Sequence, residues 1–205
     1  MALMRNIVFV LMVLAVYAIA GSVPAEAEQV LKKFAESAVV QGNFKQIKYI
    51  KKISRSFEAE GTFLIAKDYG VVWNTEKPFK STMIITQTQM IQKSASGMVS
   101  KMDASENAVF GEFSKTIQSI FSGDLKSIEE HFTLNPPKSS NTKGITLAPK
   151  EKAVRQVIDN IQLNITGNEL KNIIMTDSDG NLLTYEFSNQ ETYKTITEVQ
   201  KQLFQ

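Results

Sequence analysis

Apolar residues along this chain are spaced in three ways, and each spacing predicts a different kind of segment. Residues 7–17 (IVFVLMVLAVY) form an unbroken apolar run. Ala27, Val30, Leu31, Phe34, Ala35 and Ala38 then recur at helical steps, the stripe of an amphipathic helix. From about Gly42 the period falls to two. Phe57, Ala59, Gly61, Phe63 and Ile65 share one face of a strand, while Glu58, Glu60 and Thr62 take the other. The turn signal Asp68-Tyr69-Gly70, followed by Val71-Val72-Trp73, predicts a hairpin. Lys77-Pro78 ends its second strand, because proline has no N–H to give to a ladder. Two more strands are expected at 81–86 and 89–93, so 26–93 reads as one helix and an antiparallel meander.

Helical spacing returns in Val109, Phe110, Phe113, Ile117, Ile120 and Phe121, and Gly123 stands where helices commonly stop. Residues 130–134 predict a strand that carries His131, closed by Pro136-Pro137, with 138–143 (KSSNTK) as a loop and 145–147 as a short strand. Three further strands are expected at 161–166, 170–176 and 182–187, the last two joined by a turn at Asp179-Gly180-Asn181. Tyr193, Ile196, Val199 and Leu203 suggest a loose terminal helix. No repeat or long linker divides the chain, so the expectation is one domain, mainly antiparallel β with helices (α+β).

The N-terminal run has its own meaning. Arg5 precedes it, and Ala18 and Ala20 follow as a small-residue A-x-A site, the anatomy of a secretory signal peptide over residues 1–20. A second pair, Ala25 and Ala27, offers an alternative cut after 27. The apolar stretch is shorter than the roughly 20 residues of a spanning helix. Residues 21–205 are therefore expected to be exported as a single domain.

Composition mainly excludes. The 205 residues carry a net charge of +2, one His and no Cys. Disulfides, thiolate metal sites and a cysteine nucleophile are absent from the possibilities. The charge is too small for a nucleic-acid binder, and the densest basic run, Lys45, Lys48, Lys51, Lys52 and Arg55, would be split between two faces by a strand. His131 has Glu129 and Glu130 beside it, but strand neighbours point to opposite faces and cannot orient it for a relay. Asp177, Asp179 and Gly180 form a hairpin turn rather than a calcium loop, since no ligand follows at the required spacing. Asn164-Ile165-Thr166 matches a glycosylation sequon within strand-like sequence. No enzyme is expected, nor any metal or cofactor. What remains distinctive is an apolar inventory rich in Phe, with one Trp and Met83, Met90, Met98, Met102 and Met175. Such residues are either a packed core or the lining of an adaptable apolar cavity.

Particular stretches resemble the LolA family of periplasmic lipoprotein carriers. They are Gly42-Asn43-Phe44-Lys45-Gln46, Phe57-Glu58-Ala59-Glu60-Gly61-Thr62-Phe63, Gly70-Val71-Val72-Trp73 and Lys77-Pro78-Phe79. Gly61 and Trp73 keep the family's interval from strand glycine to tryptophan, and Thr146-Leu147-Ala148-Pro149-Lys150 approximates its later T-x-x-P-K segment. The resemblance implies an incomplete β-barrel, a half-cone with a helical lid over an apolar cavity. The cavity is expected to be lined by Phe57, Phe63, Ile65, Trp73, Met83 and Ile85 from the sheet and by Phe110, Phe113 and Ile117 from the helix. Lys67 falls where the family has its lid-locking arginine, but lysine lacks the planar fork that bonds several carbonyls together. With the helical C-terminus, this points toward a branch linked to lipid or polyene export systems. The implied role is a monomeric periplasmic carrier of lipoprotein acyl chains or a related lipid. It would take cargo from an inner-membrane export complex to an outer-membrane receptor. The alternative is a periplasmic sensor or accessory protein that detects lipidated partners without transporting them.

Overall fold

The computed structural model describes residues 25–103, 105, 123, 125–137, 143–167 and 169–204. Helix α1 (Ala25–Ala35) buries Ala27, Val30, Leu31 and Phe34, the face that its spacing predicts. Strands β1 (Val39–Ile50), β2 (Arg55–Ala66), β3 (Gly70–Lys77), β4 (Ser81–Ile85), β5 (Gln89–Ser94) and β6 (Val99–Asp103) follow as a meander. After helix α2 (Leu125–His131) comes a second run. It comprises β7 (Phe132–Asn135), β8 (Lys143–Pro149), the short helix α3 (Lys152–Arg155), β9 (Ile158–Thr166), β10 (Glu169–Asp177) and β11 (Leu182–Tyr193). Helix α4 (Glu198–Gln202) closes the chain, with Thr197 in a capping box with Gln200.

All eleven strands belong to one antiparallel sheet, in the order β6-β5-β4-β3-β2-β1-β11-β10-β9-β8-β7. Each half is a simple meander, and the halves join where β1 pairs with β11. Among the described residues β6 and β7 are the end strands, so the sheet is unclosed. Together with the helices this is the open, mainly antiparallel architecture expected of the α+β half-barrel.

Strand alternation divides the apolar residues between the two faces. On the inner face one cluster joins α1, which packs on β8 and β9, with Val40, Phe44, Phe63, Ile65, Val71, Trp73 and Ile85 of the first half and Ile145, Leu147, Ile161, Leu163, Ile173 and Phe187 of the second. A smaller outer cluster, Val39, Ala66, Val72, Ile84 and Ile91, is covered by the returning C-terminal segment through Ile196 and Phe204. Phe204 lies against Tyr69, with ring centroids 5.8 Å apart.

Several expectations are corrected. His131 ends helix α2 rather than sitting in a strand, because Ile128 is fully buried and anchors a helical turn up to the start of β7. β6 carries no buried residue to mark it in the sequence, and α3 is too short to show a period. β11 runs on to Tyr193, since its later residues pair with Val39, Val40 and Gln41, which shortens the terminal helix to α4. Lys51 lies in a 3-10 turn (Lys51–Ile53), so Lys51, Lys52 and Arg55 gather around a hairpin end instead of being split by a strand. The signal peptide expected at 1–20, the helix expected at 109–121 and most of the loop at 138–143 lie outside the described residues. Among the described residues no helix is long and apolar enough to cross a membrane.

Candidate functional site

Five aromatic rings meet on the inner face where the two halves of the sheet join. Register brings them together: Phe63 pairs with Trp73 across β2 and β3, and Phe44 pairs with Phe187 across β1 and β11. Gly61 stands opposite Phe44 and contributes no side chain to this face. A Cβ there would lie 1.9 Å from the carbonyl oxygen of Asn74, so only glycine permits this approach of β2 to β3. The Trp73 ring centroid is 4.9 Å from Tyr185, 5.2 Å from Phe44, 5.8 Å from Phe63 and 6.3 Å from Phe187. These separations and tilts suit aromatic pairs, whose quadrupoles disfavour a face-to-face sandwich.

Two polar groups are set into this apolar surface. The indole Nε1–H of Trp73 is buried and has no hydrogen-bond partner among the described residues, although Trp73 is only 8% exposed. Leaving a buried donor unpaired is unfavourable by about 1–3 kcal/mol, so the site offers an unused hydrogen bond to any acceptor that enters. Tyr185 is partly buried, and desolvation of its hydroxyl pushes the pKa up to about 12. Around the rings, Met83, Met90 and Met175 pack against the cluster while remaining only partly buried. Flexible thioethers at the margin of a rigid aromatic centre let the surface adapt to differently shaped apolar groups.

Of the residues expected to line a cavity, Phe63, Ile65, Trp73 and Ile85 are brought together in this cluster, with Met83 packed beside them. Phe57 departs from that grouping. Its side is correct by alternation, but it is 55% exposed, because β3 pairs with β2 only from Glu60 onward. Phe110, Phe113 and Ile117 lie outside the described residues. Phe44, Tyr185 and Phe187 join the centre without having been expected among the cavity-lining residues, since their place depends on pairing between the two ends of the chain. Lys67 donates from Nζ to the Ala35 carbonyl at 3.2 Å, tying the β2–β3 turn to the end of α1. Gly123 also meets α1: a Cβ there would come within 1.9 Å of the Leu31 carbonyl oxygen.

The outer face is different chemistry. Lys45 pairs with Glu58 at 2.9 Å, and Lys77 with Glu60. Hydrogen bonding to Lys77 holds the Glu60 carboxyl below its ordinary range. The depression here, about 490 Å³, is lined in part by Lys45, Glu60, Lys171 and Glu186, which makes it a poor receptor for an acyl chain. The larger set of apolar side chains lies on the inner face instead, buried in one cluster.

Residues 35–205 match the family model described as outer membrane lipoprotein carrier protein LolA. No curated protein matches the chain. Solved structures with a similar course include a LolA superfamily protein, NE2245 from Nitrosomonas europaea, at 10% identity over 87% of this chain and 97% of that one, with a TM-score of 0.47. A chain of the Pseudomonas aeruginosa MucA/MucB complex is similar at 13% identity over 86% of this chain, which spans 60% of that one, with a TM-score of 0.44. LprF from Mycobacterium bovis is similar at 13% identity over 84% of this chain and 96% of that one, with a TM-score of 0.34.

Proposed function

Because the chain belongs to the LolA family of outer membrane lipoprotein carrier proteins, we propose that it is a periplasmic carrier. It binds the acyl chains of a lipoprotein or a related lipid against the inner face of its sheet. It accepts them from an inner-membrane export complex and releases them to an outer-membrane receptor. The observation that carries this reading is the inner aromatic centre, with an unpaired Trp73 Nε1–H inside it and methionines around it. An acyl chain supplies methylenes for the apolar surface and an ester or amide carbonyl for the free donor. Each CH₂ taken from water contributes roughly 0.8 kcal/mol, so ten contribute on the order of 8 kcal/mol before ordering costs. That is enough for binding that is firm yet reversible.

The test is displacement of a fluorescent fatty-acyl probe from the exported protein by a lipopeptide, followed by transfer to acceptor vesicles. Ile65→Glu should lower probe affinity at least tenfold, because a carboxylate would be desolvated without a partner. Met83→Gln tests the same surface at a half-buried position that tolerates polarity, and should weaken binding without unfolding the protein. Wild-type protein that binds no acyl probe overturns the proposal. Protein that binds the probe but never passes it to an acceptor behaves as a sensor and overturns the carrier role.

A further inference from the structure

Several exposed large apolar residues share one end of the sheet. An antiparallel meander returns every second connection to the same side. The turn at 51–54, the connection at 78–80, the turn at 95–98 and the turn at 178–181 therefore all lie at one end. This end carries Ile53 (53% exposed), Phe57 (55%), Phe79 (82%), Met98 (72%) and Leu182 (37%). The connections at 67–69 and 86–88 of the opposite end carry none, although the strand residues Met102 (37%) and Tyr193 (43%) are exposed toward that end.

The β1–β2 hairpin reaches beyond its neighbour. β2 pairs with β3 only from Glu60, so the segment 51–58 projects with every residue exposed. Lys48, Lys51, Lys52 and Arg55 surround Ile53 on this projection, and none of the four makes an ion pair among the described residues. The acids nearest the tip are Glu58, which pairs with Lys45 at 2.9 Å, and Asp177 and Asp179 of the β10–β11 turn. That turn is tied to the hairpin by the Lys51 N–H, which donates to Asn181 Oδ1 at 2.9 Å. Asp177 remains anionic while accepting from the N–H groups of Asp179 and Asn181 at 3.0 and 2.8 Å. Lys48, Lys51, Lys52 and Arg55 outnumber these two unpaired acids, so the tip keeps a net positive charge around its apolar side chains.

We infer that this end of the sheet, led by the β1–β2 hairpin, docks reversibly on the surface of an anionic phospholipid bilayer. Charge complementarity selects that occupant. The cations meet lipid phosphates while Ile53 and Phe57 enter the boundary between headgroups and acyl chains, as interfacial anchors do. The contact is independent of acyl binding on the inner face, so either can fail while the other stands.

The test is co-sedimentation of the exported protein with vesicles of phosphatidylglycerol and phosphatidylcholine in equal parts, and with phosphatidylcholine alone. The wild type should partition onto the anionic vesicles and much less onto the neutral ones, with binding weakened by salt. Each cation near the surface is worth about a fivefold change in partitioning. Lys51→Glu/Lys52→Glu should therefore lower binding by more than tenfold, while binding of the acyl probe is unchanged. Ile53→Ser, at a site 53% exposed and outside the buried clusters, should weaken it severalfold. A control at Val199, exposed at the other end of the chain, should change nothing when replaced by serine. Wild-type protein that ignores anionic vesicles overturns the inference, as does equal binding by the folded charge-reversed variant. If those variants lose delivery to a protein receptor while the wild type leaves bilayers untouched, the end is a protein-docking surface and the inference is wrong.

Discussion

Replacing Trp73 with phenylalanine separates the two things its ring does. It packs the aromatic centre, within 6.3 Å of four neighbouring rings, and it holds an unpaired N–H inside an apolar surface. The substitution removes roughly 40 Å³ of side chain, which at the usual rate for cavities is unfavourable by about 1 kcal/mol. It also removes the buried unpaired donor, which relieves about 1–3 kcal/mol. The two effects oppose each other, so the empty protein should be within about 1 kcal/mol of wild type or up to about 2 kcal/mol more stable, measured by urea unfolding followed by far-UV circular dichroism. Cargo binding should respond differently. A probe with an ester carbonyl should lose about 1 kcal/mol, roughly fivefold in affinity, because the donor that met its carbonyl is gone. An alkyl probe of equal length without an acceptor should bind as before. If both probes weaken equally, Trp73 acts by packing alone. If the empty protein loses 3 kcal/mol or more, the indole N–H was not an unsatisfied group.

Two other consequences are open to direct measurement. Gly61→Ala places a methyl 1.9 Å from the Asn74 carbonyl oxygen, so β2 and β3 must separate beside the aromatic centre. It should be destabilising by about 1–3 kcal/mol, and a thermal midpoint equal to wild type would disprove the close approach. Tyr185 should ionise late, near pH 12, because burial disfavours its charged form. Its folded pKa lies above the unfolded value near 10, so its contribution to stability is complete below pH 10 and is lost as the pH rises toward 12. Absorbance titration of tyrosinate should show that late step in wild type and lack it in Tyr185→Phe.

Legibility in the sequence followed the range of the forces involved. Period-two spacing placed Phe63, Ile65, Trp73, Met83 and Ile85 on a common face, because alternation is a local property of a strand and survives whatever the rest of the chain does. The same spacing misled at Phe57. Alternation tells which face a residue takes, but only the length of the neighbouring strand decides whether that face is covered, and β3 stops pairing at Lys77. Phe44 and Phe187 meet through a register between residues more than a hundred positions apart, with no local signal at either one. Likewise nothing near Phe204 announces that it will fold back over Tyr69. The basic run is the clearest case. Read as a strand, Lys48 to Arg55 would be divided between two faces. A 3-10 turn at Lys51–Ile53, followed by Ser54 in the left-handed region at φ 49°, collects those charges at a projecting end. Residues fit for the interior were identifiable because burial imposes a period. Those fit for a surface partner were not, because exposure imposes none, and their meaning comes only from where the sheet ends.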